Sequence, residues 1–222
     1  MDRIKVYLVI VLVMLLCSLA SSSRSLDSVY VNVLESYHKL SGEHSASAEA
    51  LYFKAFPDNA HEFLAWERYR ELRERHSSKR DEGVSGYVRM LGRLRTVNDT
   101  LYCRKLVNLS VGASLDADGF NWLHALLHDK LGDERLSKTF FFLLSGMTRG
   151  EQVRFWQFYW SSPCLGEEGE GGDVDKEAES ELRLVLRRLG RNRKMRRIVR
   201  LAYEYSSRQI YFVSSYGLYY KL

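Results

Sequence analysis

The apolar residues of this 222-residue chain recur at three- and four-residue spacing along much of its length, and only two prolines interrupt them. The segment from Leu26 to Leu40 shows this spacing, and so does the segment from Val84 to Leu94. Apolar residues at such intervals share one face of an α-helix. Because proline breaks helices and strand-rich folds need many turns, the sequence predicts an all-α fold.

The composition is that of one globular unit. Hydrophobic residues make up 45% of the chain and charged residues 27%, an ordinary balance for a soluble core and surface, and the length allows a sizeable core. We predict a single-domain, irregular bundle of about seven to nine helices over residues 21–222. An acidic, glycine-rich loop is predicted at 166–176 and a basic helical segment at 187–212.

The first twenty residues have the features of an export signal. Two basic residues precede a continuous apolar run from Val6 to Cys17, and Ser18 to Ala20 supplies the small residues that a signal peptidase requires. A bilayer span needs about 20 apolar residues, more than this run has. Residues 1–20 are therefore predicted to be a signal peptide, and the protein to be periplasmic, envelope-associated or secreted. A lipoprotein acylated at Cys17 ranks second and an uncleaved anchor third.

Export makes the cysteines informative, because disulfides form in oxidising compartments. Removal of the signal would leave Cys103 and Cys164. A bond between them would close a long loop and stabilise the fold by roughly 3–5 kcal/mol. The alternative is two buried free thiols, since the sequence does not bring the two residues together.

His124 and His128 are four residues apart, so both imidazoles can project from one face of a helix. Two histidines at that spacing can share a zinc ion, with Asp118 as third ligand and Asp116 or Asp129 as substitutes. The glutamate that follows the first histidine in zinc proteases is missing. The alternative is a pair at the border of the core, one of them bonded to a backbone carbonyl. Asp116 and Asp118 are also suited to capping the helix.

Motifs of other catalytic classes are absent from the sequence. It contains no Gly-x-Ser-x-Gly nucleophile elbow, no phosphate-binding loop and no Cys-x-x-Cys. The run from Gly166 to Gly172 is acidic and would repel phosphate. The sequence therefore favours a protein without an enzymatic activity and without a cofactor.

The C-terminal part of the chain separates its charges. Between Glu167 and Glu181 there are eight acidic residues and one lysine, whereas between Arg187 and Arg200 there are eight basic residues and no acidic one. The intervening apolar residues occupy the buried helix face, so most of the basic run must be solvated. The candidate binding residues are Arg187, Arg188, Arg191, Arg193, Lys194, Arg196, Arg197 and Arg200.

Two interpretations of this basic run differ in what neutralises it. The run can dock on an acidic protein or on an anionic membrane surface, whereas nucleic acid is not expected outside the cell. Alternatively, the acidic segment just upstream folds back over it, which the sequence alone favours. The net charge of +5 is mild and requires no acidic partner. The oligomeric state is open.

In the predicted helix that contains Phe63 and Trp66, arginines from Arg68 to Arg75 alternate with glutamates. We interpret them as a solvated face with ion pairs between turns. The residues predicted to face inward from the same helix are Phe63, Trp66, Tyr69 and Leu72.

Three short patches in the middle of the chain combine aromatic, glycine and acidic residues. They are Phe53-x-x-Phe56-Pro57 with Glu62-Phe63, then Lys105-Leu106-x-Asn108-x-Ser110-x-Gly112 running into Asp116-Ala117-Asp118, and finally Phe155-Trp156-x-Phe158 followed by Pro163. Together they resemble a group of small, exported, all-helical bacterial proteins. The chain departs from that group at Leu115, where the group usually has tryptophan. The group is uncharacterised, so the resemblance implies an exported helical fold and no activity.

The leading hypothesis is an exported, non-catalytic interaction protein of the cell envelope or exterior. One specific form of it is a protector that binds and blocks a toxin or a hydrolase. The alternative is a small secreted hydrolase that depends on a metal held by His124 and His128. A purely structural component of the envelope comes third.

Overall fold

The computed structural model describes residues 25–74, 83–113, 118–161 and 173–216. Within these ranges the chain forms ten α-helices and no β-strand. The helices are α1 (Leu26–Gly42), α2 (Ala46–Ala55), α3 (Ala60–Glu74), α4 (Val84–Gly92), α5 (Asp99–Ser110), α6 (Asp118–Gly132), α7 (Glu134–Ser145), α8 (Arg149–Trp160), α9 (Asp173–Arg188) and α10 (Arg193–Tyr216).

The all-α fold predicted from the apolar spacing is confirmed, but the described helices number ten instead of seven to nine. Very short connections explain the higher count, since Asp133 alone separates α6 from α7. One capping residue is enough to end one helix and begin the next. The predicted signal peptide at 1–20, with Cys17, lies outside the described residues.

Polar caps fix where several helices begin. Asn98 before α5 and Asp133 before α7 each accept hydrogen bonds from two backbone N–H groups of the first turn. Thr148 and Glu151 form a reciprocal capping box at the start of α8. Such caps satisfy amide groups that have no partner inside the helix and contribute about 0.5–2 kcal/mol each. At the other end of α5, Gly112 has φ +88°, a left-handed backbone that glycine adopts readily.

The buried apolar side chains form one contiguous cluster that includes residues from α1 to α10. Aromatic rings connect its parts. Phe63 of α3 packs against Phe120 of α6 with ring centroids 5.1 Å apart, and Trp66 meets Tyr87 of α4 edge to face at 5.3 Å. Each such ring buries a large apolar area, the main favourable term in folding.

Helix α8 lies at the centre of the bundle, as its apolar character on several sides predicts. Helices α5, α6 and α10 pack against it, and Trp156 and Tyr159 are 0% and 2% exposed. Helix α7 has a similar composition but an exposed side, where Phe142 is 73% exposed. Helix α7 packs mainly against α5 and α6, and this packing leaves Phe142 exposed.

The inner face of α3 differs from the prediction. Leu72 is 60% exposed, whereas Arg70, predicted to be solvated, is 6% exposed and forms an ion pair with Glu74 one turn later. At about 100° per residue, Leu72 lies opposite the buried Phe63. The expectation of ion pairs between turns is correct for Arg70, but this pair is in the interior and not on the surface.

The C-terminal boundaries also differ from the prediction. Residues 173–176, assigned to the acidic loop, form the first turn of α9, and the basic segment 187–212 is divided by a turn at Gly190 between α9 and α10. Acidic residue types are favoured in a first helical turn because of the helix dipole. Residues 166–172 of the predicted loop lie outside the described residues.

Cys103 is a free thiol, buried on α5. The disulfide considered above is therefore not seen, and Cys164 lies outside the described residues. Burial raises the pKa of the Cys103 thiol to about 12, which keeps it protonated and unreactive. None of the described helices has both the length and the apolar character needed to cross a membrane.

Candidate functional site

The two histidines selected from the sequence meet on α6, with ring centroids 4.4 Å apart. The Nε2 atoms of His124 and His128 lie 3.0 and 2.8 Å from the backbone oxygen of Tyr159. This carbonyl is in the last turn of α8, where the helix itself supplies no donor. The alternative of a backbone-bonded histidine thus describes both rings, not one.

A carboxylate from α9 completes this arrangement. Oε1 of Glu181 lies 3.0 Å from Nδ1 of His128 and 2.5 Å from the hydroxyl of Tyr159. The ring of His128 also stacks on that of Tyr159 with centroids 4.0 Å apart. Both ring nitrogens of His128 face oxygen atoms, Nδ1 that of Glu181 and Nε2 that of the Tyr159 carbonyl. His124, His128, Tyr159 and Glu181, here named the histidine cluster, therefore join α6, α8 and α9.

Burial controls the ionisation of this cluster. Burial first, and then the neighbouring His128, lowers the pKa of His124 to about 4. Burial alone would raise the pKa of Glu181, but hydrogen bonds from His128 and Tyr159 outweigh it and hold that pKa below its usual value. Burial and the adjacent Glu181 raise the pKa of Tyr159. At neutral pH the cluster contains a neutral His124 and an ionised Glu181.

The contacts of the two histidines do not favour the metal hypothesis. Both Nε2 atoms point at the carbonyl of Tyr159, so a metal ion there would have to displace two hydrogen bonds. Among the described residues no group of three histidine, cysteine or acidic side chains is placed to hold a metal ion. The side chain of Asp118 and all of Asp116 lie outside that part of the chain, and Asp129 pairs with Lys130. A site that uses His124, His128 and Asp118 stays a prediction.

The first and second patches of the sequence resemblance meet at Lys105, which is 5% exposed. Its Nζ donates to the backbone oxygen of Phe56 at 2.6 Å and lies 2.6 Å from Oδ1 of Asp58. The same ammonium stands 4.6 Å from the ring centroid of Phe53. The first and second patches are thus joined by a buried cation that satisfies carbonyl groups at the end of α2, a structural role.

Two of the eight candidate binding residues are used inside the fold. Arg188 donates to the backbone oxygens of Leu131 and Gly132 at 2.7 and 2.8 Å. Arg196 donates to those of Leu186 and Gly190 at 2.7 and 3.0 Å. Cations at these helix C-termini supply donors for unpaired carbonyls and interact favourably with the helix dipole. Both side chains therefore have a structural role in the bundle.

The other six candidates are exposed. None of them lies within 4.0 Å of a carboxylate whose side chain the structure describes. We name this set the basic surface: Arg187, Arg191, Arg193, Lys194, Arg197 and Arg200.

The described acidic residues of α9 have partners elsewhere. Glu181 belongs to the histidine cluster, and Glu179 pairs with Arg183 on its own helix at 3.5 Å. Neither neutralises the basic surface. Sequence analysis expected the acidic loop at 166–176 to fold back over the basic run. Residues 166–172 and the side chains of Asp173 and Asp175 lie outside the described part of the chain, so that interpretation stays a prediction.

Sequence reasoning did not select Glu181 or Tyr159 as site residues, and it named Lys105 only as part of a resemblance patch. Glu181 stands in a run of acidic residues, Tyr159 in an aromatic run and Lys105 beside another basic residue. Nothing in these local patterns separates the buried member from its exposed or apolar neighbours. Their roles depend on contacts across 22 to 53 residues of chain, which one-dimensional spacing cannot reveal.

Comparisons with models of protein families, with curated proteins and with solved structures found no match for this chain.

Proposed function

We propose that this protein is an exported, non-catalytic interaction protein that docks through its basic surface onto an acidic partner protein in the cell envelope or exterior. Binding and blocking a toxin or a hydrolase is the form of this function that a small exported helical bundle suits. The partner contributes aspartate and glutamate side chains where the two surfaces meet.

The observation that carries this proposal is that no carboxylate among the described side chains pairs with the basic surface. Its six residues lie within fourteen positions of sequence, from Arg187 to Arg200, and are exposed. Some exposed arginines elsewhere have partners in the fold, as Arg73 does in Asp27 at 2.5 Å and Arg135 in Asp99 at 2.7 Å. Like charges held together repel one another, and a complementary surface relieves this repulsion and speeds association.

The histidine cluster supports the non-catalytic part of the proposal. A general base needs a nitrogen lone pair directed at a substrate. Both Nε2 atoms instead face the carbonyl of Tyr159, and Nδ1 of His128 faces Glu181. His124 is 2% exposed, so its remaining nitrogen is shielded from any substrate. Linking three helices accounts for these contacts without any chemistry.

The experiment compares two charge-reversed forms of the full chain as baits in extract of the source cells. Arg193→Glu with Arg197→Glu changes the basic surface. Arg68→Glu with Arg104→Glu makes the same change in charge at exposed positions of α3 and α5. Capture is repeated at about 0.1 M and about 1 M salt, where the screening length falls from about 10 to about 3 Å. Binding of each captured protein is then measured with purified components.

We expect an acidic protein that binds the unchanged chain and the α3/α5 variant alike, loses affinity for the basic-surface variant and dissociates as salt rises. Equal binding by both variants, or no partner at either salt, would refute the proposal. Stoichiometric metal that is lost when His124 and His128 are both changed to alanine would support the hydrolase hypothesis instead.

A further inference from the structure

A groove of about 360 Å³ lies between the start of α8 and the first turns of α10. We name it the basic groove. Arg149 is the first residue of α8 and Arg193 the first residue of α10, so the positive ends of two helix dipoles converge here. The residues that line it are Arg149, Arg193, Lys194, Arg197, Ile198 and Leu201.

The groove is cationic on its rim, and none of the described residues that line it is acidic. None of its four cations lies within 4.0 Å of a carboxylate whose side chain the structure describes. Glu151, the acidic residue in the first turn of α8, is engaged by Thr148 in the capping box. Charge complementarity therefore calls for an anionic occupant.

One wall of the groove, formed by Ile198 and Leu201, is apolar. Ile198 is 3% exposed and belongs to the core, whereas Leu201 is 46% exposed. Arg193, Arg197 and Leu201 follow one another at four-residue spacing, so they lie along one side of α10. A simple anion such as phosphate gains nothing from an aliphatic wall, whereas a peptide side chain that covers Leu201 removes apolar surface from water.

We propose that the basic groove is the anchor point for an acidic peptide segment of the partner, one that places a bulky apolar side chain against Leu201 and Ile198 between flanking carboxylates. This inference rests on the proposed function and narrows it from a charged surface to one groove and one kind of segment. Arg149, which sequence analysis did not select, joins the binding residues.

The test uses the full chain and short fluorescent peptides in which glutamates flank one central residue. The central residue is leucine in the probe and serine in its counterpart, and a third peptide has lysines in place of the glutamates. Binding is followed by fluorescence anisotropy. The protein variants are Leu201→Ser, Arg149→Glu and, as controls, Leu101→Ser and Arg104→Glu on α5, because Leu101 is 52% exposed and Arg104 is exposed. Circular dichroism and urea unfolding confirm that each variant is folded.

We expect the leucine peptide to bind about tenfold more tightly than the serine peptide, equal to about 1.4 kcal/mol, and the lysine peptide not to bind. Leu201→Ser should remove the preference for leucine, and Arg149→Glu should weaken both acidic peptides. The two controls should leave both affinities unchanged.

Equal affinity for the leucine and serine peptides, or a leucine preference that survives Leu201→Ser, would overturn the inference and leave a surface that recognises charge alone. A purified acidic partner could lose affinity for the charge-reversed basic surface but bind Leu201→Ser as tightly as the unchanged chain. That result would overturn the inference about the groove and would leave the proposed function intact. Binding to vesicles of phosphatidylglycerol but to no acidic peptide would overturn the inference and the protein partner together.

Discussion

Nδ1 of His128 on α6 lies 3.0 Å from Oε1 of Glu181 on α9. The two side chains are 22% and 28% exposed, so the contact is partly shielded from solvent. Glu181 accepts a second hydrogen bond from Tyr159 on α8. This one carboxylate therefore connects α9 to α6 and α8 at the centre of the bundle, six residues before the first residue of the basic surface, Arg187.

The first prediction concerns the contacts of Glu181 with His128 and Tyr159. Glu181→Gln removes the charge opposite His128, and we expect the free energy of unfolding in urea to fall by about 1–3 kcal/mol. Glu179→Gln is the matched control, because Glu179 pairs with Arg183 at 3.5 Å in an exposed position and such pairs contribute at most about 1 kcal/mol. Equal losses for the two variants would contradict the structural role of Glu181.

The second prediction is a loss of stability in acid caused by His124. Its pKa is about 4 in the folded chain and about 6.5 when unfolded. Above the unfolded pKa the residue is neutral in both states and has no effect. As the pH falls below about 6.5, the unfolded chain binds the proton first, so stability drops by about 2 kcal/mol by about pH 5.

Urea unfolding above pH 6.5 and at about pH 5 measures this drop in stability. His124→Gln should reduce the drop, because glutamine keeps a donor for the carbonyl of Tyr159 but does not titrate. The lowered pKa of Glu181 adds a further loss, but only below about pH 4.3, where the unfolded carboxylate gains its proton. A pH dependence that is unchanged in His124→Gln would contradict the assignment.

The third prediction concerns the buried lysine. Lys105→Met removes the donor to Phe56 and the partner of Asp58 while keeping most of the side-chain volume. We expect a loss of about 2–3 kcal/mol in the free energy of unfolding, the usual effect of a hydrogen bond to a buried charged group. Arg104→Met, at the exposed neighbouring position, should change stability by no more than about 0.5 kcal/mol.

The fourth prediction uses two glycines of α6. A β-carbon at Gly119 would lie 2.7 Å from Oε1 of Glu67, whereas one at Gly132 would meet nothing within 4 Å. The N–H of Gly119 also donates to that carboxylate at 2.8 Å. Gly119→Ala should therefore lower the thermal midpoint, and Gly132→Ala should leave it unchanged or raise it, because alanine favours helix by about 0.5–1 kcal/mol. The reverse order would refute the close approach of Glu67.

The fifth prediction concerns Cys103. Because it is fully buried and its pKa is raised to about 12, we expect iodoacetamide to leave it unmodified in the native chain at about pH 8 and to modify it after unfolding in urea. Peptide mapping by mass spectrometry measures both states. A map without reduction that joins the peptide of Cys103 to that of Cys164 would contradict the free thiol.

Much of the secondary structure could be predicted from the sequence, and the sites could be predicted only in part. The apolar spacing and the caps at Asn98 and Asp133 are local features, so they are readable in the chain itself. The inner face of α3 differs from the prediction, because Leu72 is exposed and Arg70 is buried. A charged residue can enter the interior only with a partner, here Glu74, and such pairing is not visible in a hydrophobic pattern.

The sequence by itself determined that this chain is helical, where several helices begin and that acidic and basic residues are segregated near its end. Only the tertiary structure decided which of those charges are used inside the fold. Arg188 and Arg196 bind helix carbonyls, Glu181 binds His128, and the basic surface is left without a described partner. Helix formation depends on neighbours within a few residues, whereas pairing of a charge depends on side chains brought together from distant parts of the chain.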